Sequence, residues 1–216
     1  MNRSKKLGMK LLFYFGGLIV MTVGVIISVK SDLGVTPISS IPYTMTVVAG
    51  MDLGLATMLF SALMVLLQIV ILRKRYKLIN LLQLPVGIVF GAFLTVCGKL
   101  MAPIPTPESF LLKFIIMLIS TVFVAIGVFL YVSSGLIPLA PEGFIVAVCS
   151  VAKTSFSTVK IIFDVTMVVI SMATCLLVIH SLGSVGIGTV AAAVLVGNEV
   201  KWLTKRFGAK RDALLK

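Results

Sequence analysis

Val23 to Pro42 reads VGVIISVKSDLGVTPISSIP, and this stretch decides the fold. An apolar helical run meets a polar turn broken by glycine and proline, and a second, shorter apolar run follows. The pattern returns about a hundred residues later as IGVFLYVSSGLIPLAPEGFI, from Ile126 to Ile145. Val23-Gly24-Val25 matches Ile126-Gly127-Val128, and Val29-Lys30-Ser31 matches Val132-Ser133-Ser134. After a one-residue shift, Pro37 aligns with Pro141. A broken apolar segment that occurs once in each half is the sequence pointer to a transporter-type binding site.

Composition sets the class. Of the 216 residues, 59% are hydrophobic and 12% charged, against about 25% charged in a soluble domain. Mean hydropathy is +1.18. These values specify a membrane protein with room for one compact bundle. The formal charge of +12 does not point to nucleic acid. Its basic residues flank apolar runs, where positive charge sets membrane orientation and meets anionic headgroups. Cys97, Cys149 and Cys175 share no motif spacing and read as packing residues, and the single histidine, His180, makes no metal site. No metal and no cofactor is expected.

Outward from the opening stretch, the first apolar run covers Leu11 to Val29 and follows Arg3, Lys5, Lys6 and Lys10. It is long enough to cross a bilayer, which takes roughly 20 helical residues, and no small-residue cleavage site follows, so it reads as an uncleaved span. Thr36 is the expected N-cap and Pro37 the first residue of a short helix to about Val48, too short to span. Leu53–Leu72 and Leu78–Gly98 are further spans. A proline-rich linker follows over 99–109, with Pro103, Pro105 and Pro107. The second half repeats the order: a span from Phe110 to Val132, a break, a short helix from Pro141 to about Val151, spans at Phe156–Ile179 and Thr189–Thr204, and a basic tail over 205–216.

The expected fold is therefore an all-α polytopic membrane protein with six transmembrane helices. They form two inverted three-helix repeats, about 11–98 and 110–204, each carrying a broken helix or short re-entrant segment. With both termini in the cytoplasm, Arg73 to Lys77 and the basic tail fall inside, and only Lys30, Lys99 and Lys113 fall outside. An eight-span arrangement would put the Arg73 cluster on the wrong side.

Breaks and ionisable groups inside hydrocarbon must face protein or water, since each exposed one costs several kcal/mol. The expected substrate-binding set is Asp32, Thr36, Pro37, Ser39 and Ser40 from the first break, and Pro141 and Glu142 from the second. Gln83, Thr189 and Asn198 join it from the spans. The free N–H groups where the short helices start favour an anion or carboxylate; Glu142 either caps its own helix or takes up a coupling proton or cation, a coupling role open equally to Asp32. Gln83 reads equally as substrate contact or as glue between helices, and Gln68 as glue. Lys160 and Asp164 stand four residues apart on one helix face, as a structural ion pair or as a coupling pair. Gly16, Gly17, Gly24, Gly87, Gly91, Gly127 and Gly197 read as sites of close helix contact. No nucleophile–base pair or set of catalytic carboxylates can be assembled, so an enzyme is not expected.

The chain resembles the YczE/YyaS/YitT family of bacterial integral membrane proteins. Gly34-Val35-Thr36-Pro37, the run from Gln83-Leu84-Pro85 to Phe90-Gly91, and Gly186-Ile187-Gly188-Thr189-Val190 leading to Gly197 carry the resemblance. Where that family often shows a Gly-Pro-Arg-Asp-Gly-like signature, this chain has Leu139-Ala140-Pro141-Glu142-Gly143, which keeps the proline, an acid and the glycine but not the arginine. The resemblance implies the bacterial cytoplasmic membrane. The function expected is secondary transport of a small polar solute, anionic or zwitterionic. The alternatives are a non-transporting scaffold or regulator of a partner protein, and the substrate-binding subunit of an ATP-driven importer. The expected partners are the lipid bilayer and an unidentified small molecule, with glycine-rich spans that admit a homodimer.

Overall fold

The computed structural model describes residues 3–215, with side chains from residue 6 onward; the side chains of Arg3 and Lys5 in the basic amino-terminal flank, and Lys216 of the tail, lie outside the described residues. The described residues form α-helices joined by short turns. In chain order these are α1 (Arg3–Ser31), α2 (Pro37–Ala49), α3 (Leu53–Leu72), α4 (Gln83–Met101), α5 (Phe110–Ser133), α6 (Ala140–Ala152), α7 (Phe156–Ile179) and α8 (Ile187–Leu215). Two 3-10 turns, Arg73–Arg75 and Leu78–Leu82, link α3 to α4. Among the described residues, five segments are long and apolar enough to cross a membrane: Lys6–Ser31, Leu53–Arg75, Leu78–Met101, Phe110–Ser133 and Phe156–Ile179. The protein is thus a multi-pass, all-helical membrane protein.

The last helix departs from expectation. A span of Thr189–Thr204 followed by a basic tail is replaced by one continuous helix to Leu215. The basic stretch is helical because it has a surface to lie on: the Arg211 guanidinium stacks over the Phe129 ring at 4.4 Å from its centroid. Its Nη1 also donates to the Phe129 carbonyl at 3.3 Å. Lys and Arg are good helix formers, and an anchored end keeps the helix from fraying. This helix is not among the five apolar spans.

The centre of the bundle is the antiparallel pair of α1 and α5, the most extensive helix contact in the molecule. Small residues let the backbones meet. A Cβ on Gly17 would lie 2.5 Å from the Tyr131 nitrogen, one on Gly127 would lie 2.5 Å from the Met21 nitrogen, and one on Gly24 would meet Val124 at 2.7 Å. Without a hydrophobic driving force between helices in lipid, this close packing is what holds spans together. Gly87 and Gly91 do the same for α4 against Ser61 and Met58 of α3. Gly16 and Gly197 do not; a Cβ on either would meet nothing within 4 Å.

The short helices cross over. α2 packs on α7, and α6 packs on α3. α2 starts at Pro37, with Thr36 in the N-cap position, and ends where Gly50 takes a left-handed φ of 64° and donates to the Thr46 carbonyl. α6 starts at Ala140, one residue before the expected proline, and Glu142 reaches back to that start as half of a capping box: its carboxylate accepts the Leu139 N–H at 3.2 Å, while leucine offers no side-chain acceptor to return the bond. One asymmetry stands out. α3 and α4 pack along each other, whereas α7 and α8, although joined by a short loop, barely touch.

Candidate functional site

A cavity of about 410 Å³ lies where the two short helices begin. Thr36, Pro37 and Ser39 enter it from α2, and Leu139, Pro141 and Glu142 from α6. Lys160 and Asp164 face it from α7. The rest of the wall is mostly apolar, with Met21 and Val25 of α1, Phe60 of α3, Phe90 of α4 and Val128 of α5 among its residues. Pro42 lines it too; lacking an N–H, it removes the helical bond that the Ile38 carbonyl would otherwise accept.

The polar groups are held rather than loose. The Glu142 carboxylate accepts the Tyr131 hydroxyl as well as the Leu139 N–H. Tyr131 is itself braced edge-on by Tyr14, ring centroids 6.1 Å apart, and the Tyr14 hydroxyl donates to the Ile137 carbonyl at 2.7 Å. α1, α5 and the second break thereby fix one carboxyl group at the start of α6. Opposite it, Lys160 and Asp164 form an ion pair at 2.5 Å, the i,i+4 geometry their spacing predicted. On the other short helix the Thr36 hydroxyl donates to the Ser39 hydroxyl at 3.1 Å and does not cap a backbone N–H.

Of the residues expected from sequence, the cavity gathers Thr36, Pro37, Ser39, Pro141, Glu142, Lys160 and Asp164. Asp32 lies elsewhere. It ends α1 with a left-handed φ of 54° and pairs at the surface with Lys113 at 2.6 Å. Ser40 is buried and donates to the Pro37 carbonyl at 2.7 Å. Gln83 accepts from Gln68 Nε2 at 2.8 Å, while Gln68 Nε2 also donates to the Ala140 carbonyl at 3.1 Å. The two amides therefore bind α3, α4 and the start of α6 together, and Gly143 makes room for them, since a Cβ there would lie 2.5 Å from Gln83 Nε2. Asn198 is exposed.

Thr189 belongs to a separate junction. Its hydroxyl accepts from the Gly186 N–H at 3.2 Å and abuts Gly34, whose φ is 96° and whose missing Cβ would lie 2.5 Å away. The Gly188 N–H donates to the Leu33 carbonyl at 2.7 Å, and the Val35 N–H to the Ser184 carbonyl at 3.3 Å. The first break is thus satisfied by the loop before α8, as a buried backbone requires. Sequence reading missed Thr57 and Ser61 of α3 and the stretch of α8 around Ala192, Val196 and Gly197, all of which line the cavity. Thr57 and Ser61 stand four apart on one face of a helix whose other polar side chain is Gln68, a spacing that marks a shared polar stripe.

No curated protein and no solved structure matches the chain. One family model does, over residues 8–205, and the chain therefore belongs to the family of unknown function DUF6198.

Proposed function

We propose that the protein is a secondary transporter that carries a small solute through the central cavity by alternating access. The observation that carries this reading is that both short helices begin at one cavity. Broken helices meeting at a shared site are how transporters place substrate against helix ends without exposing backbone to lipid. The crossed packing of α2 on α7 and of α6 on α3, about an antiparallel α1–α5 pair, supports two inverted halves. In this reading α8 supplies the sixth span and both termini are cytoplasmic, which puts Arg73 to Lys77 inside and Lys30, Lys99 and Lys113 outside. Kinship with the YczE/YyaS/YitT proteins, and with it the bacterial cytoplasmic membrane, is part of the same proposal.

Glu142 is the group that takes up the coupling proton or cation, because it lines the cavity and Asp32 does not. The Lys160–Asp164 pair is the second charged element and exchanges partners as the site opens and closes. No catalytic step is part of this reading.

The test needs no knowledge of the substrate. With Cys97, Cys149 and Cys175 replaced by serine, Ser39→Cys is labelled in sealed vesicles with a membrane-impermeant maleimide. Alternating access is expected to give labelling from each side of the membrane. Labelling from neither side refutes transport and favours a packed scaffold.

A further inference from the structure

The charges in the cavity do not balance. Glu142 and Asp164 contribute two carboxyl groups and Lys160 one ammonium. Lys160 is committed to Asp164 at 2.5 Å. Glu142 is bonded by a tyrosine hydroxyl and a backbone N–H, neither of which carries a full positive charge. The start of α6, which would otherwise draw an anion, already carries the Glu142 carboxylate, which accepts the Leu139 N–H. With both carboxyls ionised the site therefore holds one uncompensated negative charge beside largely apolar walls, including the rings of Phe60 and Phe90. A carboxylate of this kind in a low-dielectric setting attracts a cation far more strongly than it would in water, and aromatic faces add to that attraction.

The cavity also has an opening. Ile161 of α7 and Ala193 and Gly197 of α8 line it, yet each is exposed. They lie on the two helices that barely touch, so the gap between α7 and α8 leads from the cavity to the outside of the bundle. Most exposed side chains nearby on these helices are apolar, Ile162, Val165, Val190 and Val194 among them, with Thr166 and Asn198 the polar exceptions. Such a rim faces hydrocarbon.

We propose that the substrate is an organic monocation with an apolar body, and that it reaches the cavity from the bilayer through the gap between α7 and α8. The inference rests on the transporter reading and names its substrate class. Glu142 holds either the cation or a proton, so each cation that leaves is replaced by one proton.

The experiment uses the full chain in detergent micelles and a matched pair of probes, tetraphenylphosphonium and tetraphenylborate, which share shape and apolar surface and differ in the sign of the charge. Protein-free micelles give the background. The cation is expected to bind at least about tenfold more tightly than the anion, and Glu142→Gln to weaken it by about tenfold. The glutamine side-chain oxygen can still accept the Leu139 N–H, and an unchanged melting temperature verifies that this variant folds. Gly197→Trp enters open space and is expected to slow both association and release, whereas damage to the site itself would speed release. Equal binding of the two probes, or no binding of the cation, overturns the substrate class. Unchanged rates in Gly197→Trp overturn the route. If the cation fails to bind while Ser39→Cys is labelled from both sides, the transporter reading stands and this inference falls. Cation binding with labelling from neither side keeps the cation site and overturns its transport.

Discussion

Gly16 and Gly17 are neighbours in sequence and opposites in the bundle, so alanine at each gives a direct test of the α1–α5 contact. At Gly17 the new methyl would sit 2.5 Å from the Tyr131 nitrogen and 2.8 Å from the Gly127 oxygen, where ordinary contact begins at 3.4 Å. Both obstacles are backbone, so the helices must separate by roughly 1 Å at their crossing or distort. Overpacking of this kind costs about 1–3 kcal/mol, and the gain from replacing a helical glycine by alanine returns only about 0.5–1 kcal/mol. The net loss is up to about 2.5 kcal/mol, centred near 1.25 kcal/mol. For a chain of this size each kcal/mol moves the melting temperature by roughly 2–4 °C, so Gly17→Ala should melt lower, by roughly 2.5–5 °C at the central value. Gly16→Ala meets nothing within 4 Å and should match the parent or melt up to roughly 4 °C higher. Thermal unfolding in micelles, followed by circular dichroism, measures both. Equal shifts, or a stabilised Gly17→Ala, would refute packing of the two halves through Gly17.

Two further predictions follow from side-chain placement. Gln83→Leu leaves the buried Gln68 amide without one of its acceptors and should cost about 1–3 kcal/mol. The double variant Gln68→Leu/Gln83→Leu should cost less than the two single changes together, with a coupling of at least about 0.5 kcal/mol in a double-mutant cycle. Asp32→Asn breaks an exposed pair with Lys113 and should change stability by no more than about 1 kcal/mol; it should also bind tetraphenylphosphonium as the parent does, and a loss of binding would return Asp32 to the site.

Much of this architecture is legible in the chain because a bilayer leaves few choices. The bounds of α3 and α7 follow from apolar runs of spanning length, and those of α2 and α6 from a proline that restarts a helix after a polar break. Glu142 and the Lys160–Asp164 pair stand out because charged residues are scarce in such segments. What depends on distant partners is not legible. Asp32 resembles a cavity residue until Lys113, 81 positions away, is seen beside it. Gln83 carries no sign that Gln68, itself bonded to the Ala140 carbonyl, will hold it away from the cavity. Asn198 sits one residue from the cavity-lining Gly197, but the turn of α8 aims it outward. The continuation of α8 to Leu215 depends on Phe129 as a resting place for Arg211, which no local periodicity encodes.

The crossed packing of the short helices also has a consequence for biosynthesis. α2 leaves the ribosome early, but its packing partner α7 is completed about 130 residues later. At roughly 5–20 residues per second, the nascent chain holds α2 without that partner for on the order of ten seconds. Its break is equally incomplete, since Leu33 and Val35 bond to Gly188 and Ser184 near the end of the chain. During that interval the unpartnered short helix must be sheltered by the insertion machinery or remain at the membrane surface. α6 does not wait, because α3 is already in the bilayer when it emerges. The first half can therefore insert alone but cannot finish folding alone, and the arrival of α7 and the loop before α8 completes both halves at once.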